Sequence, residues 1–231
     1  MWDIELAIRK VVSELSDDNY ERSLAFCRFW IRVEHTYSRT TPGLTFDAIW
    51  GYKARFSSTT VFTDKMALLL LRFINDIESD RVVGPLSVGL QNRFCARLLE
   101  EFFGDNLFLT LGQSCFPTAA RLYMNSTLIA HCANLGYIHG AATPNDILQL
   151  FSQHSGSRKL LQSQAIAICI LFKVAGATFD AYCDPSLVDS CFKLLEDHQW
   201  STPSDGKRRV EVSEFKEDLV SGAKTNILGG T

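Results

Sequence analysis

Apolar residues recur along most of the chain at the spacing of amphipathic α-helices. The first segment has apolar residues at positions i, i+4, i+7, i+8 and i+11, which lie on one helical stripe. They are Ile4, Ile8, Val11, Val12 and Leu15. Few stretches alternate apolar and polar residues with a period of two, so the sequence predicts an all-α fold. Further helices are predicted over residues 20–38, 46–55, 64–76, 85–104, 117–134, 144–152, 158–175 and 185–198.

Prolines and capping residues mark where these helices begin. Pro85, Pro117, Pro144 and Pro185 stand at the starts of predicted helices. A proline costs little there, because its missing N–H would have no intrahelical acceptor. Asp64 is expected to cap the helix that follows it. From residue 64 onward the helices group into pairs, and we expect an irregular stack of antiparallel helix pairs.

Two of these pairs have related sequences. Residues 66–73 and 164–172 are both strongly apolar first helices, and their second helices contain Leu-Leu-Glu-Glu and Leu-Leu-Glu-Asp. Residues 160–197 combine a Leu-Gln-x-x-Ala opening, an apolar first helix and a proline-started second helix, and they resemble a HEAT or armadillo-type repeat. The resemblance covers about residues 64–198 and implies a helical solenoid. An irregular helical bundle is the alternative.

The chain divides into a helical part and a polar end. We expect a single all-helical domain over residues 1–200, with N-terminal helices in residues 1–56 and helix pairs in residues 64–198. Residues 201–231 contain few large apolar side chains, include the basic triplet Lys-Arg-Arg and end in Leu-Gly-Gly-Thr. This change in composition is typical of a polar tail or a linker.

Composition and charge narrow the class of protein. The 23 Lys and Arg against 26 Asp and Glu give a net charge of −3, and 46% of the residues are hydrophobic. This balance argues against a disordered chain and against a surface that is basic throughout. The apolar runs are shorter than the roughly 18 residues of a membrane span. Seven scattered cysteines without a CxxC pair favour free thiols. We therefore expect an intracellular protein, in the cytoplasm or nucleus, without a membrane partner.

The sequence contains no catalytic or metal-binding signature. The motifs GxGxxG, GxxxxGK[ST], HExxH and GxSxG are absent. The sequence therefore lacks these signatures of phosphate binding, zinc binding and nucleophilic catalysis. Cys183, Cys191 and His198 lie too far apart in the sequence for the usual spacing of zinc ligands. We expect no catalytic residue, no metal, no cofactor and no enzymatic activity. A Cys–His pair formed in space is left open.

The most specific candidate site is a basic stripe on the second predicted helix. Arg28, Arg32, His35 and Arg39 occur at positions i, i+4, i+7 and i+11. Arginine suits the planar, bidentate recognition of carboxylate or phosphate, so the stripe is a candidate site for an anionic partner. A solvated face with i,i+4 ion pairs is the alternative. About 200° round the helix lies an apolar stripe that we expect to be buried, made of Phe26, Trp30, Val33 and Tyr37.

These observations favour a non-enzymatic protein–protein interaction domain that acts as a scaffold or adaptor within a complex. Stacked helix pairs present grooves that take a peptide or a helix of another protein. The alternative function is a nucleic-acid-binding helical module that uses the arginine stripe, and the third is an all-α enzyme. The sequence leaves open the identity of the partner and the oligomeric state.

Overall fold

The structure, a computed structural model, describes residues 2–37, 43–55, 62–87, 89–110, 116–138, 144–152 and 162–197. Within these ranges the chain forms nine α-helices and two single-turn 3-10 helices, and it contains no strand. The all-α prediction is confirmed. The α-helices are α1 (Trp2–Ser13), α2 (Tyr20–Tyr37), α3 (Leu44–Arg55), α4 (Asp64–Glu78), α5 (Leu90–Thr110), α6 (Phe116–Asn134), α7 (Pro144–Ser152), α8 (Gln162–Tyr182) and α9 (Pro185–Asp197).

One predicted helix start and one predicted helix cap are wrong. Pro85 lies in a 3-10 turn, and α5 begins five residues later, at Leu90. Asp64 does not cap α4, because the N-cap is Thr63, whose hydroxyl oxygen accepts a hydrogen bond from the Met66 N–H at 3.4 Å. A hydroxyl in this position satisfies a backbone donor that the helix itself leaves unpaired. Asp64 takes the first helical position instead.

Helix α8 extends beyond its predicted end. The sequence predicts an end at Ala175, and the structure has a kink there, with φ −127° and ψ 25°, after which the helix continues to Tyr182. The window Ser163–Tyr182 has a mean hydropathy of 1.6 and is long and apolar enough to cross a membrane, yet half of it is buried within the protein. Length and composition are weak evidence for a span, because a core helix of a soluble protein shares them.

The chain divides into two compact units, Met1–Arg97 and Leu98–Thr231, at a point inside α5. Within the first unit α1 packs mainly on α3, while α2 packs on α4 and α1. Within the second unit α6 packs mainly on α8, and α7 packs on α9 and α8. In each unit, therefore, a helix packs mainly on the second helix after it in the chain. The single domain over residues 1–200 stays a prediction, and residues 201–231 lie outside the described residues.

The buried face of α2 is not the predicted one. Phe26, Trp30 and Val33, which the sequence predicts to be buried, are only half-buried, and the side chain of Tyr37 lies outside the described part of the chain. Successive residues of an α-helix are 100° apart, which places the face of α2 that packs into the core between the predicted apolar stripe and the basic stripe. The two stripes therefore flank the buried face. The buried side chains on this core face are Tyr20, Leu24, Cys27 and Ile31.

The second unit contains polar side chains in its core. The carboxylate of Asp105 accepts two hydrogen bonds from Nε of Arg121, at 2.8 and 3.0 Å, and Nε2 of Gln164 donates to Oδ1 of Asn106 at 2.6 Å. These contacts join the end of α5 to α6 and α8. Asn125 on α6 is fully buried, and neither polar atom of its amide has a hydrogen-bond partner among the described residues. The amide of Asn125 therefore carries an uncompensated desolvation cost.

Candidate functional site

The loop after α4 fixes a carboxylate beside α2. A Cβ atom at Gly84 would collide with the backbone carbonyl oxygen of Glu78, so only glycine fits this close approach. In the same loop Oδ1 of Asp80 accepts hydrogen bonds from the N–H groups of Val82 and Val83, both at 2.9 Å. Such side-chain to backbone bonds stabilise a turn. They leave the second carboxylate oxygen of Asp80 for a contact with α2.

Arg28, the first residue of the predicted basic stripe, takes up this contact. Its Nε lies 3.3 Å from Oδ2 of Asp80, and its Nη2 donates to the backbone carbonyl of Asp76 at 2.6 Å. Asp76 stands in the last turn of α4, where carbonyl groups lack intrahelical donors and favour a cation. The guanidinium group is therefore engaged inside the first unit.

The same junction contains a hydrogen-bonded tyrosine. The hydroxyl of Tyr20 donates to Oδ2 of Asp76 at 2.7 Å, and Nε of Arg72 lies 3.6 Å from that oxygen. Burial and the bond to Asp76 raise the pKa of Tyr20 above its ordinary value. The backbone donors of the loop, followed by the charges of Arg28 and Arg32, lower the pKa of Asp80. Both shifts stabilise the protonation states that hold α2 against α4.

The remaining residues of the basic stripe are placed less closely. Arg32 and His35 are exposed on α2, and Arg32 acts on Asp80 only as a distant charge. Arg39 lies outside the described residues. The structure therefore brings Arg28 and Arg32 to the same acidic loop and leaves the binding of an external anion by the stripe as a prediction.

On the other flank of α2 a groove runs between α1 and α2. Its volume is about 380 Å³. The small or apolar side chains of Ala7, Val11 and Phe26 line it, while Lys10 and Arg22 provide cations from opposite helices. Among the described side chains neither of these two cations has a carboxylate within 4.0 Å, and the remaining lining residues are Glu14, Asn19 and Ser23.

The turn between α1 and α2 sets the spacing of this groove. Nδ2 of Asn19 donates to the carbonyl of Glu14 at 2.7 Å, and Oδ1 of Asn19 accepts from the N–H of Ser16 at 2.9 Å. One amide side chain thus satisfies two backbone groups of the turn. The groove is bordered here by a fixed turn, which holds the facing side chains of the two helices at a defined separation.

Aromatic side chains continue along α2 beside the groove. Phe29 is 58% exposed, and its ring centroid lies 5.3 Å from that of Trp30, which in turn lies 6.2 Å from that of Phe26. The indole N–H of Trp30 is buried and has no hydrogen-bond partner among the described residues. Phe29, Trp30 and Phe26 thus form a continuous run of aromatic rings on this side of α2, and Phe29 is its exposed member.

The described residues contain no group of three or more His, Cys, Asp or Glu side chains able to hold a metal ion. The six described cysteines are all buried. Burial raises the pKa of both Cys183 and Cys191 to about 12. These two thiols therefore stay protonated near neutral pH, and a protonated thiol is a poor nucleophile and metal ligand.

Sequence reasoning missed three residues of this surface, Lys10, Arg22 and Phe29. The sequence signal that could have revealed this surface is the number of apolar positions on α2. Besides the core face around Leu24 and Ile31, the helix carries a second apolar face, which is more than packing against one core requires. A helix with two apolar faces therefore has a second apolar surface that packing against one core does not cover.

A comparison of the chain with protein-family models finds no match. Comparisons with curated proteins and with solved structures find no match either.

Proposed function

We propose that the chain is a non-enzymatic protein–protein interaction module whose first unit binds an acidic, apolar segment of a partner protein in the groove between α1 and α2. The surface that would receive it, made of Ala7, Lys10, Val11, Arg22, Phe26 and Phe29, is called the α1–α2 surface. The observation that carries the proposal is the half-exposed aromatic face of α2 next to two cations that have no described carboxylate partner.

The apolar side chains and the cations of the α1–α2 surface each favour a different property of the partner. Burial of Phe29 and the groove floor favours apolar side chains, because each square ångström of apolar surface removed from water contributes roughly 25 cal/mol. Lys10 and Arg22 favour carboxylates, which form charge-assisted hydrogen bonds with such cations. An amphipathic segment with acidic flanks offers both, as in peptides and helices that dock in grooves of helical proteins.

The packing of the helices supports a scaffold of the HEAT or armadillo type as part of this proposal. In the second unit α6 packs on α8 and α7 packs on α9. In a stack of helix pairs the first helices form one layer and the second helices another, which makes each helix contact the next but one. Helical solenoids use such layers as extended binding surfaces. The scaffold or adaptor role and the intracellular location are further parts of this proposal.

The alternative function, nucleic-acid binding through the basic stripe, has less support. Arg28 is held by Asp80 and by the carbonyl of Asp76, so a phosphate would have to compete with both. Among the described residues of the stripe, Arg32 and His35 are exposed, and these two side chains alone contribute little of the charge by which proteins bind duplex nucleic acid.

Site-specific crosslinking tests the proposal. A photoreactive phenylalanine analogue replaces Phe29 in the full chain within its native cell, and the same analogue replaces Tyr182, an aromatic residue of the second unit that is 72% exposed. We expect a defined protein to be crosslinked at position 29 and not at position 182. The crosslink should disappear when Lys10→Glu and Arg22→Glu are combined, and it should persist in Arg81→Glu, a charge reversal at an exposed residue outside the α1–α2 surface.

Two results would contradict the proposal. One is the absence of any crosslink that distinguishes position 29 from position 182. The other is a crosslinked protein whose yield is the same in the double charge reversal and in the Arg81→Glu control, because the cations would then play no part in binding.

A further inference from the structure

A segment of the chain itself has the composition that the α1–α2 surface favours. Residues 210–220 have the sequence Val-Glu-Val-Ser-Glu-Phe-Lys-Glu-Asp-Leu-Val and lie outside the described residues. Four carboxylates and one lysine give these residues a net charge of −3, and the five apolar residues include a phenylalanine and a leucine. Residues 210–220 are called the acidic segment.

The acidic and apolar residues of this segment share a helical spacing in the sequence. Glu211, Phe215, Asp218 and Leu219 occur at positions i, i+4, i+7 and i+8. This spacing is typical of residues on one face of a helix. An amphipathic segment that carries carboxylates beside its apolar side chains is of the kind that docks in a groove of a helical protein.

The other stretches outside the described residues lack this combination. Asp205 is the single Asp or Glu in all of them together, and it is followed closely by the basic triplet Lys207-Arg208-Arg209. The acidic segment is therefore the candidate that the sequence singles out. These other stretches, apart from single residues, are 38–42, 56–61, 111–115, 139–143, 153–161, 198–209 and 221–231.

The α1–α2 surface has the complementary charge and a matching size. Lys10 and Arg22 are exposed, and the described side chains place no carboxylate within 4.0 Å of either. With Glu14, the charged residues of the groove lining sum to +1. The volume of about 380 Å³ lies near the lower end of the range for ligand pockets, roughly 300–1,000 Å³. The groove therefore suits a few side chains of a short segment.

We infer that the acidic segment binds the α1–α2 surface of its own chain and competes there with the partner protein. Phe215 and Leu219 would cover the exposed ring of Phe29 and the apolar lining. Glu211 and Asp218 would pair with the two cations of the groove through charge-assisted hydrogen bonds. This inference rests on the proposed function, because it concerns the regulation of the same surface.

Tethering makes a weak contact sufficient for this competition. A segment attached to the molecule that it binds has an effective concentration on the order of 1 mM. A dissociation constant of the same size would keep the surface occupied about half of the time, which is the occupancy that we expect. The partner then finds about half of the surfaces open, and its apparent dissociation constant rises about twofold.

Crosslinking in the purified full chain tests the binding of the acidic segment without any partner. A photoreactive phenylalanine analogue replaces either Phe29 or Leu68, an exposed residue of α4 in the same unit. We expect position 29 to be crosslinked to residues 210–220, identified by mass spectrometry of the peptides, and position 68 to give few such crosslinks. Equal yields from the two positions would overturn the inference.

A mixture of isotope-labelled and unlabelled chains distinguishes the two possible sources of the segment. We expect the two crosslinked peptides to carry the same isotope, because the segment and the surface belong to one chain. Crosslinks that join labelled to unlabelled peptides as often as random pairing allows would overturn the inference, since a second copy of the chain would then be the occupant.

A truncation of the apolar anchor identifies its contribution. Phe215→Ala should weaken the contact about tenfold, as truncation of an aromatic anchor does at interfaces. An occupancy of about one half would then fall to about one tenth, so the crosslink yield should fall about fivefold. Leu228→Ala removes an apolar side chain outside the acidic segment and should leave the yield unchanged. Equal yields in these two variants would overturn the inference.

A charge exchange tests the pairing of the carboxylates with the cations. Glu211→Lys with Asp218→Lys should lower the crosslink yield, and so should Lys10→Glu with Arg22→Glu, because each pair of changes places like charges together. The variant with all four changes should recover part of the yield. A yield in the fourfold variant no higher than in the two double variants would overturn the proposed pairing.

The experiment in the native cell separates this inference from the proposed function. Phe215→Ala should raise the yield of the partner crosslinked at position 29 by up to about twofold, because the surface is no longer shared. A partner captured equally by the wild-type and Phe215→Ala chains would overturn the competition and leave the proposed function intact. A crosslink to the acidic segment in the purified chain, with no partner captured in the cell, would contradict the proposed function alone.

Discussion

The Nε atom of Arg28 lies 3.3 Å from Oδ2 of Asp80, a contact that joins α2 to the loop after α4. The same guanidinium reaches the last turn of α4 through the Asp76 carbonyl. A residue that the sequence marks as a candidate for binding an external anion thus has its anion within the protein. Because of this contact, a substitution of Arg28 should change the stability of the fold.

Removing Arg28 should cost stability, whereas removing Arg32 should not. We expect Arg28→Gln to lower the free energy of unfolding by about 1–2 kcal/mol, because a hydrogen bond between a charged donor and a partly buried carbonyl is lost. Arg32→Gln should change it by less than about 0.5 kcal/mol, as is usual for an exposed position. Urea denaturation of both variants measures this. Equal losses in the two variants would show that the junction at Asp80 does not stabilise the fold.

Stability should fall as the pH rises above about 9. Burial raises the pKa of the Cys183 and Cys191 thiols to about 12 in the folded chain. A raised pKa means that the folded state holds the proton more tightly than the unfolded state does. The contribution is complete below the ordinary thiol pKa and is lost as the pH rises toward 12.

Denaturation at several pH values between 7 and 10 measures this loss, and the double variant Cys183→Ala/Cys191→Ala is the control. The wild-type chain should lose stability more steeply with pH than the variant, whatever their difference at pH 7. Parallel pH profiles would contradict the shifted thiol pKa values. In the native chain these thiols should also react slowly with a thiol reagent.

Replacing Asn125 by leucine should stabilise the second unit. The amide of Asn125 is fully buried without a described partner, and an apolar side chain of similar size removes that cost, so we expect a gain of about 1–3 kcal/mol. Asn134 on the same helix is the matched control, because its amide donates to the Val174 carbonyl at 2.7 Å and accepts from the Thr178 hydroxyl at 2.6 Å. Asn134→Leu should give no gain.

Thermal denaturation of the two leucine variants compares them directly. A loss of stability in Asn125→Leu as large as that in Asn134→Leu would mean that the buried amide of Asn125 has partners, such as ordered water, that satisfy it in the folded chain.

Local sequence signals predict the helices well where they act within a few residues. Pro144 begins α7, which spans the predicted residues 144–152, because proline at a helix start is a purely local preference. The predicted end of α8 at Ala175 coincides with a kink in the observed helix. The break that the sequence predicts at Ala175 is therefore present as a kink, and the helix continues beyond it to Tyr182.

The candidate surfaces depend on contacts between distant parts of the chain, which periodicity does not reveal. The stripe of Phe26 and Trp30 fits a helical period, yet the core of the first unit takes the neighbouring face with Leu24 and Ile31. Nothing local distinguishes the two faces, because both are apolar at the same spacing. In the same way the partner of Arg28 lies 52 residues away at Asp80, and it is brought there by the turn after α4.

The affinity of the α1–α2 surface for the segment crosslinked at position 29 tests the central claim most directly. That segment, prepared as a peptide, is titrated into the full chain, into Phe29→Ala and into Leu68→Ala, which removes an exposed apolar side chain from α4. We expect Phe29→Ala to raise the dissociation constant at least about tenfold, as truncation of an aromatic anchor does at interfaces, and Leu68→Ala to leave it unchanged. Equal dissociation constants for the folded wild-type and Phe29→Ala chains would contradict the claim.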